Sequence, residues 1–278
     1  MKYTDLAKEA CDCLDDLDLE GIKKECFEQE GVSIETIEII SSKTAKKINK
    51  SIGKYISLTS EHNFRREKAY HNRVSKALAD KINELLPSNN DLTLIVGLGN
   101  RNMTPDALGP KTVEKIMVTK HIIDVMPDRF EGKLASVCAI APSVYGVTGI
   151  ESADYISAIC EKIKPSSIIA VDSLAAAQWE RINDTLQLTD TGITPGAGVG
   201  NRRSGLNKES LGVPVIAVGI PVVVRLSQIC EVCQDEDMIV TPKNIDTIVE
   251  DSSSIIACAI NMALQSKISK DEIDNFMF

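Results

Sequence analysis

Two aspartates stand where an open α/β sheet would keep its chemistry. In LIVGLGNRNMTPDALGP, residues 94–110, an apolar run stops at Gly97, turns through Gly99 and Asn100, and reaches Asp106 behind Pro105. Thr104 can cap and Pro105 can begin a helical turn, which puts the Asp106 carboxylate at the positive end of a helix just past a strand. Asp172 closes the apolar run SIIAV and directly precedes SLAAAQWERI, which reads as a helix. In open sheets of this kind, ligands bind beyond the carboxyl ends of the strands. If the two strands are neighbours, the carboxylates converge on one crevice. Like-charge repulsion there would raise one pKa, leaving one acid and one base able to hold a water and drive it onto a carbonyl. Spacing alone also allows Asp106 to be a plain helix-start residue.

The other candidates are weaker. A dinucleotide loop needs GxGxxG, and Asn102 stands where the third glycine should be; no GxxxxGK[ST] phosphate loop occurs. Gly97 and Gly99 therefore read as a strand-to-loop turn. Asp190-Thr191-Gly192 matches the tripeptide of pepsin-like proteases, but those are all-β and need two such loops, so Asp190 reads as loop structure. No GxSxG occurs, and His62, His71 and His121 are the only histidines, His121 being placed at a helix end where a cation is favoured. Cys230 and Cys233 form CEVC, an isolated pair and so a weak metal or redox pattern. Cys138, Cys160 and Cys258 sit in apolar surroundings and read as reduced core residues.

The elements that must position these groups follow from hydrophobic periodicity. After an acidic, mostly helical opening, VSIETIEII (32–40) and GKYISLTS (53–60) read as strands around a short helix at 42–51, and residues 61–86 as a helix. From residue 92 the pattern alternates: strand LTLIVG, helix from Pro110 to Ile122, strand KLASVCAIA, helix ADYISAICEKI, strand SIIAVD, helix SLAAAQWERI. Strands TLQLTD and VPVIAVGI and a terminal helix follow. This predicts an α/β fold with a mainly parallel sheet flanked by helices and a small N-terminal α/β extension. The expected division is a short segment 1–5, an extension 6–90 and a core 91–278 within one structural domain. A formal charge of -9 argues against a nucleic-acid surface. No run approaches the roughly 18 uninterrupted apolar residues of a membrane span, and the charged start lacks a signal core, so a cytosolic protein is expected.

The blocks VGLGNRNMTPDALGP, APSVYGVTGIESADYI, IIAVDSLAAAQWERIN and TDTGITPGAGVGNRRSGLNKESLGVPVIAVGIPVVV closely resemble the spore germination proteases. TDLAKEA near the start and VTPKNIDTIVED near the end extend the likeness over most of the chain. The resemblance implies an endopeptidase of aspartic type that degrades the small acid-soluble proteins coating spore DNA. It implies a fold similar to the hydrogenase-maturation endopeptidases, a homotetramer, a cytoplasmic location in the forespore or spore core, and no cofactor or metal. The family's proposed catalytic aspartates fall on Asp106 and Asp172, the pair that spacing had singled out.

The resemblance further implies a zymogen that removes its own N-terminal segment at an acidic-aliphatic-Ala site. Thr4-Asp5-Leu6-Ala7 matches, placing the cut between Asp5 and Leu6 and leaving a shorter segment than the family usually has. An acidic residue before the cut calls for a cation, for which Arg101, Arg202 and Arg203 are candidates. The family's long insertion before its VTPK block is missing: RLSQICEVCQDEDMI bridges directly to Val240. Alternatives are a metal-dependent maturation endopeptidase of the same fold, and a binding relative that is not an enzyme.

Overall fold

The computed structural model describes residues 4–12, 14, 20–59, 68–130, 132–195, 204–230 and 238–268. Arg202, Arg203, His62 and Cys233 lie outside the described residues. Among the described residues one sheet contains β1 (Ile22–Gln29), β2 (Val32–Ile39), β3 (Gly53–Thr59), β4 (Leu92–Gly97), β5 (Ser136–Ile140), β6 (Ser167–Ala176), β7 (Thr185–Thr189), β8 (Val215–Arg225) and β9 (Ile239–Val240). Their order is β1-β2-β3-β7-β8-β6-β4-β5, with β9 on β8. β8, β6, β4 and β5 run parallel, and β7, β3, β2 and β1 continue the sheet antiparallel.

The centre of the sheet is apolar on both faces, as parallel strands covered by helices require. All eleven residues of β8 are buried. On one face Ile169, Val171, Ile216 and Val218 pack with the helices Lys68–Leu85 and Ile245–Leu264; on the other Leu94, Val96, Ile168 and Ala170 pack with Ile156 and Cys160 of the helix Ser152–Ile163. The helix Ile245–Leu264 is long and apolar enough to cross a membrane, with a mean hydropathy of 1.2, but 72% of that window is buried inside the protein. It is a core helix.

Three sequence expectations are corrected. The opening contains a strand as well as the helix Ala7–Cys11: β1 pairs with β2 through Glu30 (φ 52°) and Gly31 (φ 80°), two left-handed residues that suit a tight hairpin. IKKECFEQ is almost wholly exposed, so it carries no apolar alternation, and its lysines and glutamates suit a sheet edge. The expected helix from Pro110 to Ile122 is instead two, Leu108–Val113 and Lys120–Val125. Between them Asn261 of the long C-terminal helix accepts from the Met117 amide at 2.9 Å and donates to the Lys115 carbonyl at 3.0 Å, which pins the chain out of the helix. His121 accordingly lies in the first turn of the second helix.

SLAAAQWERI is the third. β6 runs on through Ser173–Ala176 and only Trp179–Arg181 forms a 3-10 turn. The reason is tertiary: β8 is long enough to pair with β6 from Ile168 to Ala176, with Pro221 opposite Leu174 and the register shifting past Val222 directly after it. Propensity for helix in Ala-rich sequence loses to that pairing.

Candidate active site

β4 ends at Gly97 while its neighbour β6 continues, so the edge of β6 past Val171 opens into a cleft of about 370 Å³. Asp106 and Asp172 both line it, and so does Asp5. The expected neighbour relation of the two strands holds: Gly97 pairs with Val171, one residue before Asp172.

Backbone close packing places Asp106. Gly99 has φ 108°, and a Cβ there would lie 2.0 Å from the Asp106 carbonyl oxygen. At Gly109 a Cβ would lie 2.3 Å from the Leu98 carbonyl oxygen and 2.5 Å from that of Val171. The loop thus folds directly onto the sheet, which side chains at these positions would prevent. Thr104–Asp106 forms a single 3-10 turn with Met103, not Thr104, at the cap position, and Asp106 Oδ2 accepts the Asn100 amide at 2.8 Å. Asp106 is half-buried; Asp172, 6% exposed, accepts the Ser173 amide at 2.8 Å.

From Thr4 onward the chain runs beside this cleft, and Asp5 lines it. The Asp5 amide donates to the Ala175 carbonyl at 2.9 Å, and the Ala175 amide donates to the Asp5 carboxylate at 2.8 Å. Asp5 thereby fills ladder positions that β4 leaves open. Leu6 is fully buried against Leu174, Ala176 and Ile193. Full burial of such a side chain stabilises by about 1.5–3 kcal/mol. Glu9, also buried, accepts the amides of Ala177 at 2.7 Å and Gln178 at 2.8 Å, and the Thr4 hydroxyl hydrogen-bonds to it.

Two further side chains reach the segment, and neither was read in the sequence. The helix Ser42–Ile48 ends in left-handed Asn49, with the Lys50 amide bonded back to the Ala45 carbonyl. That reversal carries Lys50 Nζ to the carbonyl oxygens of Thr4 at 3.1 Å and Asp5 at 2.8 Å. Burial pushes the Lys50 ammonium below its ordinary range, and the Asp5 and Glu9 carboxylates partly restore it. Gln187 of β7 donates to the Asp5 carbonyl at 2.9 Å and accepts the Ala7 amide at 2.7 Å. A signal for Gln187 existed: Thr185, Gln187 and Thr189 alternate with leucines in a strand buried along its whole length.

The remaining candidates fall elsewhere. Arg101 is exposed, ion-paired with Glu114, and not on the cleft wall. Asp190 accepts the Lys54 amide at 2.8 Å and ties the end of β7 to β3, as its reading as loop structure requires. The described cysteines are free thiols, with Cys11 and Cys160 buried. Burial raises the thiol pKa of Cys11, Cys138 and Cys160, which suits inert core residues. Among the described residues no three His, Cys, Asp or Glu side chains are grouped to hold a metal ion.

A family model described as germination protease, Peptidase_A25, matches residues 4–235. A germination protease of Clostridium tetani is 36% identical, the comparison covering 99% of this chain and 98% of that protein. One from Clostridium perfringens is 38% identical over 90% of this chain and 89% of its own length, and one from Bacillus pumilus 32% identical over 93% and 89%. The comparison with the Clostridium tetani protein spans 318 positions, so that protein carries residues this chain of 278 lacks. Among solved structures, a [NiFe] hydrogenase maturation protease from Thermococcus kodakarensis is similar with a TM-score of 0.39 and 15% identity, over 65% of this chain and 98% of that one.

Proposed function

The chain belongs to the germination protease family and is a peptidase of spore germination, and from that premise we propose that its peptide-cutting site is the cleft between Asp106 and Asp172. The observation that carries the assignment is that the two carboxylates and Asp5 line one cleft. In this reading one aspartate, ionised, takes a proton from a water as that water attacks the peptide carbonyl. The other, protonated, gives its proton to the departing amide nitrogen.

The substrates we propose are small acid-soluble proteins of the spore core, cut after an acidic residue and before an aliphatic one. Support comes from the chain itself, which lays an acidic-aliphatic-Ala sequence, Asp5-Leu6-Ala7, along the cleft and its flank. Of the three candidate arginines, Arg202 and Arg203 keep the proposed role of meeting acidic substrate side chains, because they follow the cleft-lining pair Thr194 and Pro195 by only seven and eight residues in the sequence. The protein acts as a homotetramer, and cleavage between Asp5 and Leu6 converts it to its active form. Mass spectrometry of the incubated full chain tests this: wild type should lose residues 1–5 and expose Leu6, Asp172→Asn should not, and an active wild type that keeps its whole N-terminus contradicts it.

A further inference from the structure

We infer that Lys50 and Gln187 form the oxyanion site of this peptidase, holding the carbonyl oxygen of the residue before the cut. The inference rests on the proposed cleavage between Asp5 and Leu6, and it assigns catalytic work to two residues outside the aspartate pair.

The carbonyl that such cleavage would attack is that of Asp5. Its oxygen receives two hydrogen bonds, from Lys50 Nζ at 2.8 Å and Gln187 Nε2 at 2.9 Å. Both are good hydrogen bonds to the carbonyl oxygen before attack, and the oxyanion would form on that same oxygen, within reach of both donors. One donor is the Lys50 amino group, and a hydrogen bond strengthens as its acceptor becomes ionised. The other belongs to a side chain only 6% exposed, where solvent screens little.

Gln187 also accepts the Ala7 amide at 2.7 Å, so one carboxamide grips the backbone on both sides of Leu6. Only main-chain groups are read by this grip, so any extended peptide that places a carbonyl and the second amide beyond it in the same way would be held alike. The site therefore serves a protein substrate as well as the chain's own segment. Position relative to the carboxylates agrees: Gln187 and Asp172 are each paired with Gly219 of β8, and side chains in register across a sheet stand on the same face.

The step balances without any added reagent. Water oxygen bonds to the Asp5 carbonyl carbon while the carbonyl π pair moves onto the oxygen between Lys50 and Gln187, and the water proton passes to the ionised aspartate. As that pair returns to carbon, the carbon–nitrogen bond breaks and the Leu6 nitrogen takes the proton of the second aspartate.

Anchoring of the segment alone would predict weaker binding with unchanged chemistry, so the test separates kcat from KM. A synthetic peptide repeating Thr4–Ala10 is incubated with the full chain and its Asp–Leu cleavage followed. Lys50→Met and Gln187→Leu should each lower kcat by about 10²–10³-fold with little change in KM, and Lys50→Arg should recover part of the loss. Unchanged kcat in both would overturn the assignment, as would a loss confined to KM. Should these variants not fold, a Thr-Asp aldehyde, whose hydrate mimics the tetrahedral centre, should bind wild type at least about 10²-fold more tightly than the matching carboxamide; equal binding would overturn it. If wild type leaves the peptide intact, the proposed cleavage itself fails and the inference with it. If wild type cuts, Asp172→Asn does not, and both donor variants keep their kcat, only the oxyanion assignment fails.

Discussion

Asp172 of β6 and Gln187 of β7 are both in register with Gly219 of β8, so the two side chains stand on one face of the sheet on either side of a residue that has none. The gap is enforced. A Cβ on Gly219 would lie 2.5 Å from the Asp172 carbonyl oxygen and 2.7 Å from Leu174 Cγ. Gly219→Ala should therefore shift β6 against β8, at a cost of about 1–3 kcal/mol from overpacking. Thermal unfolding measures that cost, and peptide cleavage should fall with it because Asp172 moves.

Gly99→Ala should act on the other carboxylate. The residue combines a φ of 108° with a backbone contact to Asp106 that leaves no room for a methyl group. Cleavage should drop sharply as Asp106 is displaced. Gly212 provides the comparison: its φ is 73°, but nothing lies within 4 Å of the added methyl. Gly212→Ala should cost about 1 kcal/mol of backbone strain and leave kcat intact, which separates displacement of Asp106 from strain as such.

How much of this arrangement was legible in the sequence depended on what held each part. β4, β6 and β8 were visible because a strand buried on both faces is a continuous apolar run, and β5, a half-buried edge strand, because it is nonetheless apolar. Asp172 stood out because it breaks such a run, and Asp106 because it follows one across the turn that begins at Gly97. β1 was hidden because an exposed edge strand is mostly polar and lacks apolar alternation, and Ser173–Ala176 was misread because pairing with β8, a contact distant in sequence, overrides local helix propensity. Lys50 gave no signal at all: it reaches Asp5 only because Asn49 reverses the chain at the end of its helix.

Away from the cleft, Glu250 joins the C-terminal helix to the helix Leu108–Val113 and the turn after it. Lys115 contacts it at 2.6 Å and Lys111 at 3.1 Å. The hydrogen bond from Lys115, with a smaller one from Lys111, holds the Glu250 carboxyl below its ordinary value of 4.5, against an opposing desolvation. A folded-state pKa below the unfolded one gives stability that is present above the unfolded value and lost as pH falls through the folded one. Unfolding measured from pH 6 downward should therefore show wild type losing its advantage over Glu250→Gln below about pH 4.5. The difference should be at most about 1 kcal/mol, since half of the side chain is exposed to solvent.

The most direct test of the catalytic assignment is the rate at which the purified full chain cuts a small acid-soluble spore protein, compared among wild type, Asp106→Asn and Asp172→Asn. Each substitution keeps shape and removes an ionisable group, so thermal unfolding should change little. Loss of either the acid or the base should lower kcat by about 10²–10⁴-fold, with the cut in wild type falling after an acidic residue. Equal cleavage by all three proteins would contradict the account.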